Sequence, residues 1–221
     1  VALPGGEGAI REPWKIAISY LYDIFKEDYT VYVPKHLQEK KHQIITEIIK
    51  KDINSPKASS IGRLFDAVAA LLGFDAKITF QGEAAIDLEN LCCRDDQSFY
   101  QYNISLEDGI YIIDCKSLIK SVVIEVIDGI DKELIARRFH NTIIKFTIEV
   151  CEILRKEYNL SSVVLSGGVF QNEILLISIY EELIKKDFKV YIHEQIPAND
   201  EGISIGQMII GNEILKKELV F

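Results

Sequence analysis

The chain has 221 residues, 48% of them hydrophobic and 27% charged, with 34 acidic side chains against 25 basic ones and a formal net charge of -9. That length buries a core without disulfide or metal staples, and the apolar share excludes a wholly disordered chain. The acidic balance argues against a nucleic-acid partner, and no run of roughly 18 apolar residues is present to span a membrane. The start, Val1 to Gly6, lacks the basic-then-apolar build of a secretory signal. It also lacks an initiator Met, so the natural start is expected upstream, in a cytoplasmic protein. Cys92, Cys93, Cys115 and Cys151 form no C-x-x-C pair. They are expected to be reduced thiols. Cys151 falls on an apolar helix stripe, which points to packing, with catalytic cysteine chemistry as the alternative.

In chain order, Pro4 to Gly8 reads as loop. Pro13 suits the first turn of a helix whose buried stripe is Trp14, Ala17, Ile18, Leu21 and Phe25. A second helix is predicted from about His36 to Lys51, broken by Asn54 to Lys57. A third runs from near Ser60 to Gly73, and a fourth from about Gly82 to Leu91. The alternation from Tyr100 to Leu106, the Asp108-Gly109 turn and the run Ile110 to Ile113 predict a β-hairpin, because Asp and Gly accept positive φ. Helices are predicted over Ser117 to Ile127 and Lys132 to Tyr158. Ser162 to Leu165 then reads as a short buried strand, Gly167-Gly168 as a tight turn, and Gln171 to Lys185 as a helix. Lys189 to Ile192 is a second strand, and Ile203 to Lys217 a last helix. Strand, helix, strand, helix in that order is a parallel α/β unit. The expected organisation is a mainly helical portion over 1–158, with its hairpin near 99–114, and an α/β portion over 159–221.

Chemistry has three candidate homes. In Leu165-Ser166-Gly167-Gly168-Val169-Phe170-Gln171-Asn172, a strand ends in two glycines and opens a helix. Bare backbone N–H groups there would suit a nucleotide or anion, while the alternative is a purely architectural turn. It is neither a P-loop nor a dinucleotide fingerprint. Ile196 to Gln207 lies between a strand's C-terminal end and a helix, where open α/β sheets place ligands. Its Asp200 is either a ligand for a hard cation or a helix N-cap, and Glu201 beside it favours a cation over a bare phosphate. In Ser59 to Val68, Arg63 is either a forked donor to a phosphate or the surface partner of Asp66. Glu83, at a helix start, is either a ribose-hydroxyl acceptor or a dipole-stabilised cap. Among the histidines, His36 and His42 read as exposed on one helix, His140 as satisfied and semi-buried, and His193 as a candidate to line the Asp200 loop.

Taken together, Pro4-Gly5-Gly6 with Ile10 to Trp14, Ser59 to Leu72, Gln81 to Glu89, Phe139-His140-Asn141-Thr142, Leu165 to Asn172 and Pro197 to Gln207 resemble the C-terminal part of the HypF family. These are the carbamoyltransferases of [NiFe]-hydrogenase maturation. Antibiotic O-carbamoyltransferases and the tRNA threonylcarbamoyl-transfer family share the module. The resemblance implies a lobe of the actin/sugar-kinase-like (ASKHA) fold. In the full enzyme it implies carbamoyl phosphate as substrate, hydrolysed in an acylphosphatase-like domain, and carbamoyl-adenylate made from carbamate and ATP with a YrdC-like domain. The carbamoyl group then passes to the C-terminal cysteine of a HypE-like acceptor protein. It further implies a divalent metal (iron, zinc or magnesium) held by two histidines and an aspartate. Asp200 matches that aspartate. Gly167, Gly168 and Asn172 match the nucleotide-binding turn, and Arg63, Asp66 and Glu83 lie in motifs lining the nucleotide site. The family's two histidines are expected upstream of Val1, and the chain is expected to be a fragment unable to complete the reaction alone. It departs from the usual Asn-Asp-Gly-Gly at Glu201, which leaves the local backbone and the choice of metal open. The alternatives are a small-molecule O-carbamoyltransferase, a small-molecule kinase of the same fold, and a non-catalytic module that docks a partner's tail.

Overall fold

The computed structural model describes residues 1–75, 77–92 and 95–218, and side chains through residue 216. Contacts divide the chain into two compact units, 1–146 and 147–221. The boundary falls inside one long helix.

The first unit is built around a helix that is apolar on nearly every side. Chain order there is α1 (Glu7–Arg11), α2 (Trp14–Phe25), α3 (His42–Lys50), α4 (Ile61–Leu71) and α5 (Glu83–Asn90). Then come β1 (Asn103–Glu107), β2 (Ile110–Asp114), α6 (Lys116–Ile127) and the start of α7 (Lys132–Tyr158). Every residue from Leu64 to Leu71 is buried, because α4 packs against α2, α5 and α6 together. Ile16, Ile18 and Leu21 of α2, Leu88 of α5, and Leu118 and Ile119 of α6 are fully buried. Phe139 of α7 meets Phe65 edge-to-face at 4.9 Å.

The hairpin forms as its turn chemistry dictates. Asp108 and Gly109 both take positive φ, 50° and 77°, and Glu107 faces Ile110 across a two-residue loop. Two expectations are corrected. Glu7–Arg11 is a short helix, not loop. The long helix expected from His36 shrinks to α3, preceded by a 3₁₀ turn at Lys35–Leu37. Pro34 starts that turn, Leu37 is fully buried by it, and Lys40 is drawn to Asp75 at 2.8 Å, so tertiary contacts outweigh helix propensity across residues 38–41. His36 and His42 therefore share no helix. His36 Nε2 lies 2.9 Å from the Ala70 carbonyl, and His42 Nδ1 lies 3.0 Å from the Tyr29 hydroxyl.

The second unit holds the rest of α7, then β3 (Ser162–Val164), α8 (Glu173–Lys185), β4 (Lys189–Tyr191) and α9 (Ile203–Glu218). β3 and β4 pair in parallel, Ser162 opposite Lys189 and Val164 opposite Tyr191. Ile148, Leu165, Leu175, Ile179, Leu183 and Phe188 are buried. The Arg155 guanidinium stacks 4.0 Å over the Phe188 ring while donating to the Lys186 carbonyl. The expectation of a buried first strand is corrected: Val164 is 66% exposed, and only Leu165 beyond it is buried. The sheet has just two strands among the described residues, and α8 packs against β4. No described helix is long and apolar enough to cross a membrane.

Candidate functional site

The second unit assembles a corner from two segments far apart in sequence. β3 ends at Val164, and Leu165 N–H still donates to the Tyr191 carbonyl at 2.9 Å. Two residues on, Gly167 takes φ 102° and ψ 158°, a conformation open essentially to glycine alone. Its amide donates to the Ala198 carbonyl at 2.8 Å, which closes the glycine corner onto the aspartate loop. The sequence pattern suggested bare N–H groups at both glycines; the Gly167 amide is instead consumed by that loop. Gly168–Gln171 then forms a 3₁₀ turn, and Asn172 caps α8, its Oδ1 accepting Leu175 N–H at 2.9 Å. Asn172 is 8% exposed and so a structural cap whatever else it contacts.

Across that hydrogen bond, Asn199 caps a 3₁₀ turn over Asp200–Gly202, its Oδ1 accepting Glu201 N–H at 3.2 Å. The N-cap alternative for Asp200 is therefore not realised, because its neighbour fills that role. The Asp200 carboxylate is exposed and has no hydrogen bond or ion pair among the described residues. Glu201 is absent from the left-handed region, so the regular turn accepts a glutamate without backbone strain. Gly202 cannot be replaced as easily. A Cβ there would stand 2.7 Å from the Pro197 carbonyl oxygen. His193, just beyond β4, joins the same corner, with Nε2 2.9 Å from Ser166 Oγ.

In the first unit Arg63 and Asp66 form an ion pair at 2.8 Å across one turn of α4. It is not a surface pair: Asp66 is 4% exposed, and Arg63 Nη1 and Asp66 Oδ2 are buried without a well-directed hydrogen bond. Burial pushes the Asp66 carboxyl up to about 6, against the pull of the Arg63 guanidinium. Glu83 Oε2 accepts the Thr79 backbone N–H and hydroxyl, and that backbone bond chiefly holds its carboxyl below the usual range. His140 is fully buried, deeper than the sequence suggested. Its Nδ1 lies 2.8 Å from the Ala136 carbonyl and 3.0 Å from Cys92 Sγ. Burial lowers its imidazole to about 4. Cys115 and Cys151 are free thiols, while Cys93 lies outside the described residues. Burial pushes the Cys115 thiol up to about 11 and raises that of Cys151, so neither is activated as a thiolate.

The site residues expected from sequence thus fall into two groups. Gly167, Gly168, Asn172 and Asp200 come together in the second unit, while Arg63, Asp66 and Glu83 belong to the first. Ser166, Ala198 and Asn199 went unassigned in the sequence. Asn199 was recoverable, because Asn ranks with Asp as a cap and stands one position earlier; the role of the Ala198 carbonyl leaves no trace in a side-chain pattern.

Residues 1–207 match the family described as "Carbamoyltransferase, Kae1-like Domain, second subdomain". A relative from Synechocystis sp., carbamoyltransferase HypF, is 29% identical over 94% of this chain and 28% of its own length. A solved structure of full-length HypF in the phosphate- and nucleotide-bound form superposes with a TM-score of 0.89 at 38% identity, over 97% of this chain and 28% of that one. The T. kodakarensis HypF structure gives a TM-score of 0.82 over 98% of this chain and 29% of its own; at 24% identity it speaks to the fold alone. The chain therefore spans under a third of the length of these relatives.

Proposed function

The chain belongs to the family of the carbamoyltransferase Kae1-like domain, second subdomain, and from that premise we propose that it supplies the nucleotide corner of a carbamoyl-transfer module of the ASKHA fold. The ligand is carbamoyl-adenylate, made from carbamoyl phosphate and ATP. The acceptor is the C-terminal cysteine thiol of a HypE-like protein, in the cytoplasmic maturation of [NiFe]-hydrogenase. In that transfer the thiol sulfur bonds to the carbamoyl carbon, the carbon–oxygen bond to the phosphate breaks, AMP leaves and the thiol proton is released. The α/β portion from residue 159 onward carries this corner, and with the mainly helical portion over 1–158 it makes up a partial carbamoyl-transfer module.

One observation carries the reading: the Gly167 amide donates to the Ala198 carbonyl, so corner and aspartate loop share one face of the second unit. Gly167 and Gly168 keep side chains away from the approaching nucleotide, and Asn172 fixes the start of α8 beneath it. The exposed carboxylate of Asp200, without a partner among the described residues, fits a hard divalent cation, which when bound would offset phosphate charge. The described residues contain no group of three or more His, Cys, Asp or Glu able to hold a metal, and it is the resemblance that makes Asp200 one ligand of three. Arg63, Asp66 and Glu83 are assigned to nucleotide contact by resemblance. What the first unit itself displays for them is an ion pair and a carboxylate bonded to Thr79.

The test is calorimetric titration of the chain with ATP and with AMP, each with and without a divalent metal. Binding that strengthens with metal and weakens in Asp200→Ala supports the proposal. No heat from either nucleotide, at concentrations well above ordinary cofactor levels, overturns it.

A further inference from the structure

Three of the four histidines are bonded to groups of the first unit: His36 to the Ala70 carbonyl, His42 to Tyr29, and His140 to the Ala136 carbonyl. His193 differs. Its partner is another exposed side chain, Ser166 Oγ, and its Nδ1 has no partner among the described residues. The pairing follows from the sheet. Val164 faces Tyr191 in the last parallel pair. Ser166 and His193 stand two residues beyond each, so strand periodicity points both to the same face at the C-terminal ends of the strands. That edge is where open α/β sheets receive ligands. Ser166 also directly precedes Gly167, whose backbone is fastened to the aspartate loop.

An exposed hydrogen bond between two side chains adds little to stability, because water competes for both groups. Holding an imidazole and a hydroxyl together at this edge therefore needs another explanation. Resting on the nucleotide reading above, we propose that Ser166 and His193 form a phosphate-orienting couple, His193 being a positioning residue that acts through the serine. With its proton on Nε2, the imidazole donates to Ser166 Oγ and leaves the serine's own O–H free to donate to a phosphoryl oxygen of the adenylate. Without the imidazole the hydroxyl rotates freely, and its donor direction is lost.

The experiment compares AMP with adenosine in calorimetric titrations of the 221-residue chain and its variants. Removing a hydrogen bond to a charged phosphate lowers affinity about tenfold. The AMP-over-adenosine preference should therefore fall by about that factor in Ser166→Ala and in His193→Ala, with the double variant no worse than either single one. His193→Gln, whose amide nitrogen reaches the position of Nε2, should restore the preference to within about threefold. Because both residues are exposed, the variants should melt with the parent. Either alanine variant keeping the full preference for AMP overturns the couple and leaves the nucleotide reading intact. Equal binding of AMP and adenosine by the unvaried chain does the same. An unvaried chain that binds neither overturns both.

Discussion

The backbone N–H of Gly167 donates to the carbonyl of Ala198 at 2.8 Å, and this bond joins a strand end to a loop that follows the next strand. It is possible only because Gly167 occupies φ 102°, ψ 158°, where a Cβ would be strained even though nothing stands within 4 Å of it. The corner is therefore an article of backbone geometry first, and side chains are placed around it.

The three glycines of the corner should respond differently to substitution. At Gly168 the nearest atoms to a Cβ are Gln171 Oε1 at 3.9 Å and Asn199 Cβ at 4.0 Å, so Gly168→Val should fold while blocking the nucleotide face. Gly167→Ala is strained by its φ and should cost about 1–2 kcal/mol. Gly202→Ala must push the Pro197 carbonyl away from 2.7 Å and should destabilise at least as much. Urea unfolding of the three variants checks the order. Equal stability of Gly202→Ala and the parent would contradict the packing described.

Asn172 and Asp200 should separate stability from binding. Asn172→Ala removes the cap on Leu175 N–H and should cost about 1 kcal/mol. Asn172→Asp, which keeps an acceptor at that position, should recover most of the loss. Asp200→Ala removes a carboxylate without a partner among the described residues, so it should change stability by less than about 0.5 kcal/mol. Asn199→Ala should lower it, because Asn199 carries the cap. Thermal melts of the four variants decide the matter.

Asp66 and His140 should oppose one another across the mildly acidic range. The Asp66 carboxyl rises from 3.8 to about 6 in the fold, so its contribution is present below about pH 4 and lost as pH rises through about 6. The His140 imidazole falls from 6.5 to about 4, so its contribution is present above about pH 6.5 and lost as pH falls through about 4. Each is worth at most about 3 kcal/mol, and their slopes nearly cancel. Asp66→Asn removes one of them. Its unfolding free energy should then fall more steeply than the parent's between about pH 6.5 and 4.5, as read by urea denaturation at stepped pH. Parallel curves would show that one of the two shifts is absent.

The network that pins residues 95–102 should be local. Tyr100 OH donates to Glu125 Oε2 at 2.6 Å and Arg138 Nη1 to Glu125 Oε1 at 2.6 Å, while Asn141 Nδ2 donates to the Asp96 and Ser98 carbonyls. Glu125→Ala strips a buried-edge hydroxyl and a guanidinium of one shared partner. It should raise amide exchange across 98–102 about tenfold or more while leaving α4 protected.

Much of this was legible in the sequence. Apolar spacing alone determined α2, α4, α6 and the full span of α7. The Asp108-Gly109 pair determined the hairpin and where it turns, because both turn residues must take positive φ and few other pairs do so readily. The double glycine at the end of an apolar run, and Asn-Asp at the head of a helix, marked the two halves of the corner for the same local reason.

Which alternative each polar residue takes was decided only by the tertiary structure. Arg63 with Asp66 became a buried ion pair because α4 is covered by helices from distant parts of the chain. Asn199 rather than Asp200 became the cap because the loop is anchored through Ala198 to Gly167. Helix propensity failed over residues 38–41 where Leu37 and Lys40 found partners elsewhere. Periodicity and turn chemistry act between neighbours in sequence and can be read there. A hydrogen-bond partner is chosen by whichever group the fold brings within reach, and that distance exists only in three dimensions.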